Sequence, residues 1–318
     1  MVGGLSKVVI GAVDVGGTKI AVGAVDENGH IVSRFEFPTD AKRGFGDALQ
    51  RIEEMLRRCA HLVGAPLTGI GVGSTGPVDP FAGTIGNVDF LPGWEGEDLV
   101  GELQKRFQVQ AAMENDADAA ALAEARQGSG KGKSPFIYVT VGTGIGGGII
   151  IDGRIYRGVD RSHPEIGHHV VDPSGPLCFC GSRGCWESLA AGPAMASWMR
   201  GNMPAGQPCP EDLTAGQICK LAREGDPLAR HAVEREGHYL GLGLANLITL
   251  FTPAKIALGG GVMRSIDLFL DAIRATIAQN CGLVPFQKTD IEAASLGTDA
   301  ALIGAAQVWW HRFCSERT

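Results

Sequence analysis

The sequence has no excess of basic residues: 28 Lys and Arg stand against 35 Asp and Glu, for a formal net charge of -7. That balance gives no support for binding a nucleic-acid backbone, and any phosphate ligand must be held by a local arrangement. No apolar run is long enough to cross a bilayer, since Val8 to Val15 is broken by Asp14, and no succession of basic, apolar and small residues marks a secretory signal. The expected compartment is the cytosol. Proline-rich or serine-rich linkers and low-complexity segments are also missing, so short crossings should join whatever lobes the chain forms. Glycine is in surplus, 47 of 318 residues, which implies many tight turns. At this length two lobes or domains are expected rather than one core.

Eight cysteines do not form an obvious disulfide framework, because Cys59, Cys209, Cys219, Cys281 and Cys314 are scattered. The other three lie in HPEIGHHVVDPSGPLCFCGSRGCWE, His163 to Glu187. Cys178, Cys180 and Cys185, with Gly181 and Gly184 to bend the backbone, can bring three sulfurs to a common point that lacks one ligand. Thiolate with imidazole is the donor set zinc prefers, so His163, His168 or His169 would complete a tetrahedral Cys3His site. His168 is favoured, because the Asp172 to Pro176 turn can fold the chain back between it and Cys178. The alternative is three reduced thiols in a loop.

Val8 to Val15 and Ile20 to Val25 read as strands around the turn Gly16-Gly17-Thr18-Lys19, with a third strand from His30 to Phe37. In DVGGTK, small residues let backbone N–H groups, the Thr18 hydroxyl and Lys19 approach a phosphate, with Asp14 facing a metal ion; alone, such a turn between strands is more often only a turn. The motif occurs twice. Shifted by 126 residues without a gap, Val13, Val15, Gly16 and Asp26 fall on Val139, Val141, Gly142 and Asp152. The second copy, Phe136 to Asp152, is again strand, glycine turn and strand, so one nucleotide could sit between two lobes of like topology. Gly142-x-Gly144-x-x-Gly147 fits the dinucleotide fingerprint, but Gly148 to Gly153 reads as a strand where that fold needs a helix, which excludes it.

Helices are expected over Asp47 to Leu62, Asp98 to Phe107, Ala117 to Gln127, Ser188 to Arg200, Thr214 to Arg223, Pro227 to Thr252 and Asp299 to Phe313. Further strands are expected over Ile70 to Gly73, Val109 to Met113, Lys255 to Leu258 and Asp290 to Ala293, an alternating α/β pattern. Glu114-Asn115-Asp116 sits where a strand ends and a helix begins, close to where parallel sheets bind ligands and where the helix dipole favours negative charge. Asn115, Asp116 or Asp118 could equally be only an N-cap. Gly259-Gly260-Gly261 would let a flat group such as a purine approach, or serve as a packing turn.

In this order, DVGGTK, END before Ala117, GTGIGGG (Gly142 to Gly148), HPEIGH and CxCGxxGCxE resemble the ROK family of sugar kinases and repressors. The resemblance spans nearly the whole chain. It implies an α/β, actin-like ATPase (ribonuclease H-like) fold with two lobes and a cleft between them. The lobes would be residues 1–116, closed by a C-terminal helix over 299–318, and residues 117–298, which carry the cysteine knuckle. It implies transfer of the γ-phosphate of ATP to a sugar hydroxyl with Mg²⁺, a structural Zn²⁺, and a homodimer that binds neither nucleic acid nor membrane. By position, Asp116 matches the general base. Asn115, Asp116, Glu165, His168, Glu187 and Gly76 match sugar-binding positions, and Asp14, Gly16, Gly17, Thr18, Lys19, Thr143, Gly144, Gly260 and Gly261 match nucleotide or magnesium positions. His168, Cys178, Cys180 and Cys185 match the zinc ligands.

The family's glucokinases place Asn before Leu-Pro-Gly-Trp, where this chain has Phe90; Asn87, three residues earlier, is the candidate replacement. HPEIGH resembles the family's fructokinases and DPSGPLCFCGSRGCWE its glucokinases. Glucose is favoured, with fructose, mannose and N-acetylmannosamine as alternatives. A non-catalytic sugar sensor is the alternative of another class; a DNA-binding repressor is not expected, as thirteen residues precede Asp14.

Overall fold

The computed structural model describes residues 8–204 and 212–314, so Cys209 and the expected helical residues 315–318 lie outside the described part. The chain divides into two compact units, one up to residue 131 together with residues from 296 onward, the other residues 132–295.

The first unit is built on a five-stranded sheet of β1 (Val9–Val15), β2 (Lys19–Asp26), β3 (Ile31–Pro38), β4 (Gly69–Ser74) and β7 (Gln110–Asn115), in the order β3-β2-β1-β4-β7. β5 (Val78–Asp79) and β6 (Thr84–Ile85) form a small ribbon beside it. β1 is apolar at every second position in both phases, which follows from having both faces covered. Val9, Val13 and Val15 join Leu49, Ile52 and Leu56 of α1 (Phe45–Val63) and Leu99 and Leu103 of α2 (Leu99–Phe107). Ile10 and Ala12 pack on Leu302, Ala305 and Trp309 of the closing helix α9 (Ala300–Cys314). α3 (Asp116–Gln127) also belongs to this unit, so the boundary placed after residue 116 falls inside it, at a strand-to-helix junction.

The second unit repeats the plan. Its sheet contains β8 (Phe136–Val141), β9 (Ile145–Ile151), β10 (Arg154–Ile155), β11 (Lys255–Gly259) and β12 (Asp290–Ala293), in the order β10-β9-β8-β11-β12. Each sheet has the same pattern: an antiparallel meander of three strands (β1 to β3; β8 to β10), then two strands parallel to its first (β4 and β7; β11 and β12). The repeat at 126 residues is therefore a repeat of topology. The second core fills with side chains from α5 (Gly192–Gly201), α6 (Ala215–Glu224), α7 (Pro227–Phe251) and α8 (Leu270–Asn280). No sequence signal singled out α8, whose buried stripe is only Ile273, Thr276 and Ile277.

The helix expected from Ser188 to Arg200 is two helices. α4 (Trp186–Ala190) ends at Ala191, which is extended at φ -84 and ψ 160, and α5 begins afresh with Pro193 in its first turn. Proline lacks the N–H that a continuous helix would need there and fits the first turn, where none is needed. The freed amide of Gly192 donates instead to the Gly142 carbonyl at 2.8 Å, tying the break to the turn after β8. No helix among the described residues is long and apolar enough to cross a membrane.

Candidate active site and metal centre

In the first unit, β1, β4 and β7 run parallel in register, so Val15, Ser74 and Asn115 end side by side. Their carboxyl ends bring together most of the residues expected there. Asp116 opens α3, and its Oδ1 and that of Asn115 both accept from the Ala117 amide, at 2.8 and 2.9 Å. Asn115 is thus the N-cap and leaves the Asp116 carboxylate at the helix start, a position that favours negative charge. Gly73 lies between the two acids: a side chain there would meet the Asp116 backbone at 3.7 Å and Asp14 Oδ1 at 3.9 Å. Burial, and after it the Asp116 carboxylate, push the Asp14 carboxyl up to about 7, with Lys19 and Arg34 pulling the other way. Two acids sharing one corner and short of counter-charge suit a hard divalent cation, which oxygen donors bind best.

Lys19 is committed elsewhere, to Glu36 at 3.1 Å. Gly76 sits against the Asn115 side chain, its missing side chain 3.0 Å from Nδ2. Asn87 is exposed and follows Gly86, whose amide donates to the Pro77 carbonyl at 2.8 Å. This keeps residue 87 beside the Gly76 loop.

The second unit places two glycine turns together at the carboxyl ends of β8 and β11, where Thr140 pairs with Gly259. Gly260, at φ 91, lies on the Val141 backbone, where any side chain would collide, and Gly142 faces the Gly261 amide. Gly260 and Gly261 therefore sit against Val141 and Gly142, which lead into Thr143 and Gly144. Glu187 comes to the same place: its Oε2 accepts from the Ile145 amide at 2.8 Å and occupies the space a side chain on Gly144 would need. Sequence reasoning assigned Glu187 and Gly144 to different ligands and missed that they touch.

The knuckle hangs between Glu165 and α4. Isolated bridges pair Val170 with Cys185 and Leu177 with Arg183, and Gly181 and Gly184 take φ 92 and 66, values that glycine tolerates. His168 Nδ1 and the Sγ atoms of Cys178, Cys180 and Cys185 all lie within 4.8 Å of one another. The His168 to Cys178 and Cys180 to Cys185 separations are both 3.5 Å. Thiolates about 2.3 Å from a tetrahedral ion stand about 3.8 Å apart, so the set fits such an ion with little movement. Burial, with the neighbouring thiols, drives Cys185 up to about 12, and a cation is what would deprotonate it. His169 does not join this group: its Nδ1 is 2.6 Å from the Ile166 carbonyl and its ring packs on Trp186.

A family model described as ROK family matches residues 10–312. The glucokinase of Streptomyces coelicolor is 36% identical over 316 residues, covering 93% of this chain and 96% of its own. Among solved structures, the ROK hexokinase from Thermus thermophilus superposes with a TM-score of 0.80 at 33% identity, over 96% of this chain and 99% of its own. A ROK family glucokinase from Streptomyces griseus, solved in complex with glucose and AMPPNP, gives 0.79 at 34% identity, over 94% of this chain and 98% of its own.

Proposed function

The chain belongs to the ROK family and is an ATP-dependent sugar kinase, and we propose that it phosphorylates a hexose, glucose before others, with Asp116 as general base. The observation that carries this reading is the pair of acids at the carboxyl ends of β1 and β7, around Gly73 and beside the first glycine turn. Asp116 is the acid at a helix start, a position that favours negative charge, and its carboxylate is the group to accept the proton of a sugar hydroxyl. Asn115, Gly76 and Asn87 line the same corner and orient the acceptor. By family position, Glu165, His168 and Glu187 of the second unit are also assigned to sugar binding. Asp14 is the residue to hold Mg²⁺, which when bound neutralises charge on the transferring phosphate. The amides of the glycine turns orient the phosphates. A coupled assay over glucose, mannose, fructose and N-acetylmannosamine tests the acceptor class, and kcat/KM highest for a sugar other than glucose would overturn the ranking.

His168, Cys178, Cys180 and Cys185 would hold a structural Zn²⁺, because four protein ligands leave no open position for chemistry. Its role is to fix the loop that carries Glu165 and leads into Glu187. Cys180→Ser and His168→Ala should each lose the metal. Because misplacing a contact by about 1 Å can cost about 100-fold, sugar KM should rise at least roughly ten-fold in both. ATP KM should change less than sugar KM, since the zinc ligands reach the glycine turn only through the contact of Glu187 with Gly144 and the Ile145 amide. Elemental analysis beside kinetics decides this: a fully active preparation without zinc removes the ion from the account.

A further inference from the structure

The turn Gly16-Gly17-Thr18 is gripped from two sides by residues outside the motif. Thr39, fully buried, donates its hydroxyl to the Gly16 carbonyl at 2.6 Å and its amide to the Thr18 carbonyl at 2.9 Å. Arg51 in turn donates to the Thr39 carbonyl at 2.8 Å. On the other side Phe90 covers Gly17. A methyl group placed on Gly17 would lie 2.7 Å from Cβ of Phe90 and 3.2 Å from Cγ. Phe90 is nonetheless 62% exposed, while its neighbours Leu91 and Trp94 are buried in the core of the first unit. The amide of Leu91 donates to the Val88 carbonyl and that of Trp94 to the Leu91 carbonyl, so the chain carrying Phe90 is stiff. An aromatic ring held rigidly in water and resting on a glycine is costly to solvate, and its contact with the turn is what it gains.

We propose that Phe90 and Thr39 are a clamp that pre-sets the phosphate turn, so that the amides of Gly17 and Thr18, which meet no protein acceptor among the described residues, are aimed before the nucleotide arrives. Phe90 is on this account a positioning residue for the phosphate donor and not a contact for the acceptor sugar. The proposal rests on the reading of the Asp14 to Lys19 turn as a phosphate site. Preorganised donors cost nothing to order at the moment of binding, so loosening the clamp should weaken the nucleotide.

The test is a titration of AMPPNP with Mg²⁺, in the absence of sugar, into the wild-type protein, Phe90→Ala, Phe90→Leu and Thr39→Val, with a parallel titration of glucose. Phe90→Ala and Thr39→Val should each raise the AMPPNP Kd about five- to ten-fold, Phe90→Leu should recover most of the loss, and the glucose Kd should stay within about two-fold in all three. An AMPPNP Kd unchanged in Phe90→Ala, or a glucose Kd that rises alone, would overturn the clamp. A wild-type protein that bound AMPPNP but phosphorylated no hexose would instead overturn the kinase reading, and the Phe90→Ala comparison would still decide the clamp. Absence of AMPPNP binding by the wild type would overturn both.

Discussion

Asp116→Asn should lower kcat by about 10²- to 10⁴-fold, the usual worth of a general base, while the Kd values for sugar and ATP stay within a few-fold. The substitution keeps the shape of the side chain, and the oxygen that accepts from the Ala117 amide at 2.8 Å has an amide counterpart, so the start of α3 should stay intact. What is lost is the ability to take a proton. Removing the Asp116 charge has a second consequence. The Asp116 carboxylate helps push the Asp14 carboxyl up to about 7, so removing its charge should move Asp14 downward. Nucleotide binding in the presence of Mg²⁺ should then be maintained or modestly tightened at pH 6. Turnover near that of the parent would remove Asp116 from the mechanism. Loss of turnover accompanied by loss of sugar binding would make it a binding residue only.

The second large effect lies away from the site. Glu236, in the middle of α7, is fully buried, and neither carboxyl oxygen has a hydrogen-bond partner among the described residues. Burial raises it to about 8, and only the charge of Arg235 opposes this; Cys219 on α6 is the other titratable group that feels it. In the folded chain it therefore carries its proton at neutral pH. Below pH 4.5 folded and unfolded chains are both protonated and nothing is lost. Between pH 4.5 and 8 the unfolded chain releases the proton while the folded chain keeps it, so stability falls, and above pH 8 the loss is complete. A move from the ordinary 4.5 to about 8 corresponds to about 5 kcal/mol at about 1.4 kcal/mol per pH unit. Glu236→Gln abolishes this dependence. Its stability relative to the parent should climb by up to about 5 kcal/mol between pH 4 and pH 9, and subtracting the two pH profiles cancels the groups that do not feel Glu236. A difference that stays constant with pH would mean that water or a partner reaches the carboxylate.

Glu236 also shows where sequence legibility ended. In the stretch Ala232-Val233-Glu234-Arg235-Glu236-Gly237 it stands among charged neighbours and reads as a solvent-facing residue. Tertiary packing of α7 buries it, and α8, one of the helices packed on α7, carries too short an apolar stripe to be seen. The strands were legible because β1, β2, β8 and β9 are apolar on both faces, and the duplication was legible because four positions recur at one spacing. Their order in each sheet was not, since pairing β1 with β4 joins residues about sixty apart and leaves no local mark. The choice of His168 could be read from the turn at Asp172 to Pro176, which does return the chain to Cys178. The clamp could not: Thr39 and Phe90 meet the glycine turn from segments that share no motif with it, and Glu187 meets Gly144 from a helix more than forty residues away.

The central claim is direct transfer of a phosphoryl group from ATP to a sugar hydroxyl by this chain. Incubation of the purified protein with γ-labelled ATP, Mg²⁺ and glucose, followed by product identification, tests it with the fewest assumptions. Label should appear in a glucose phosphate in step with ADP, one to one, and Asp116→Asn should slow both by about 10²- to 10⁴-fold. Label released only as inorganic phosphate at the same rate with and without sugar, or none released at all, would contradict it.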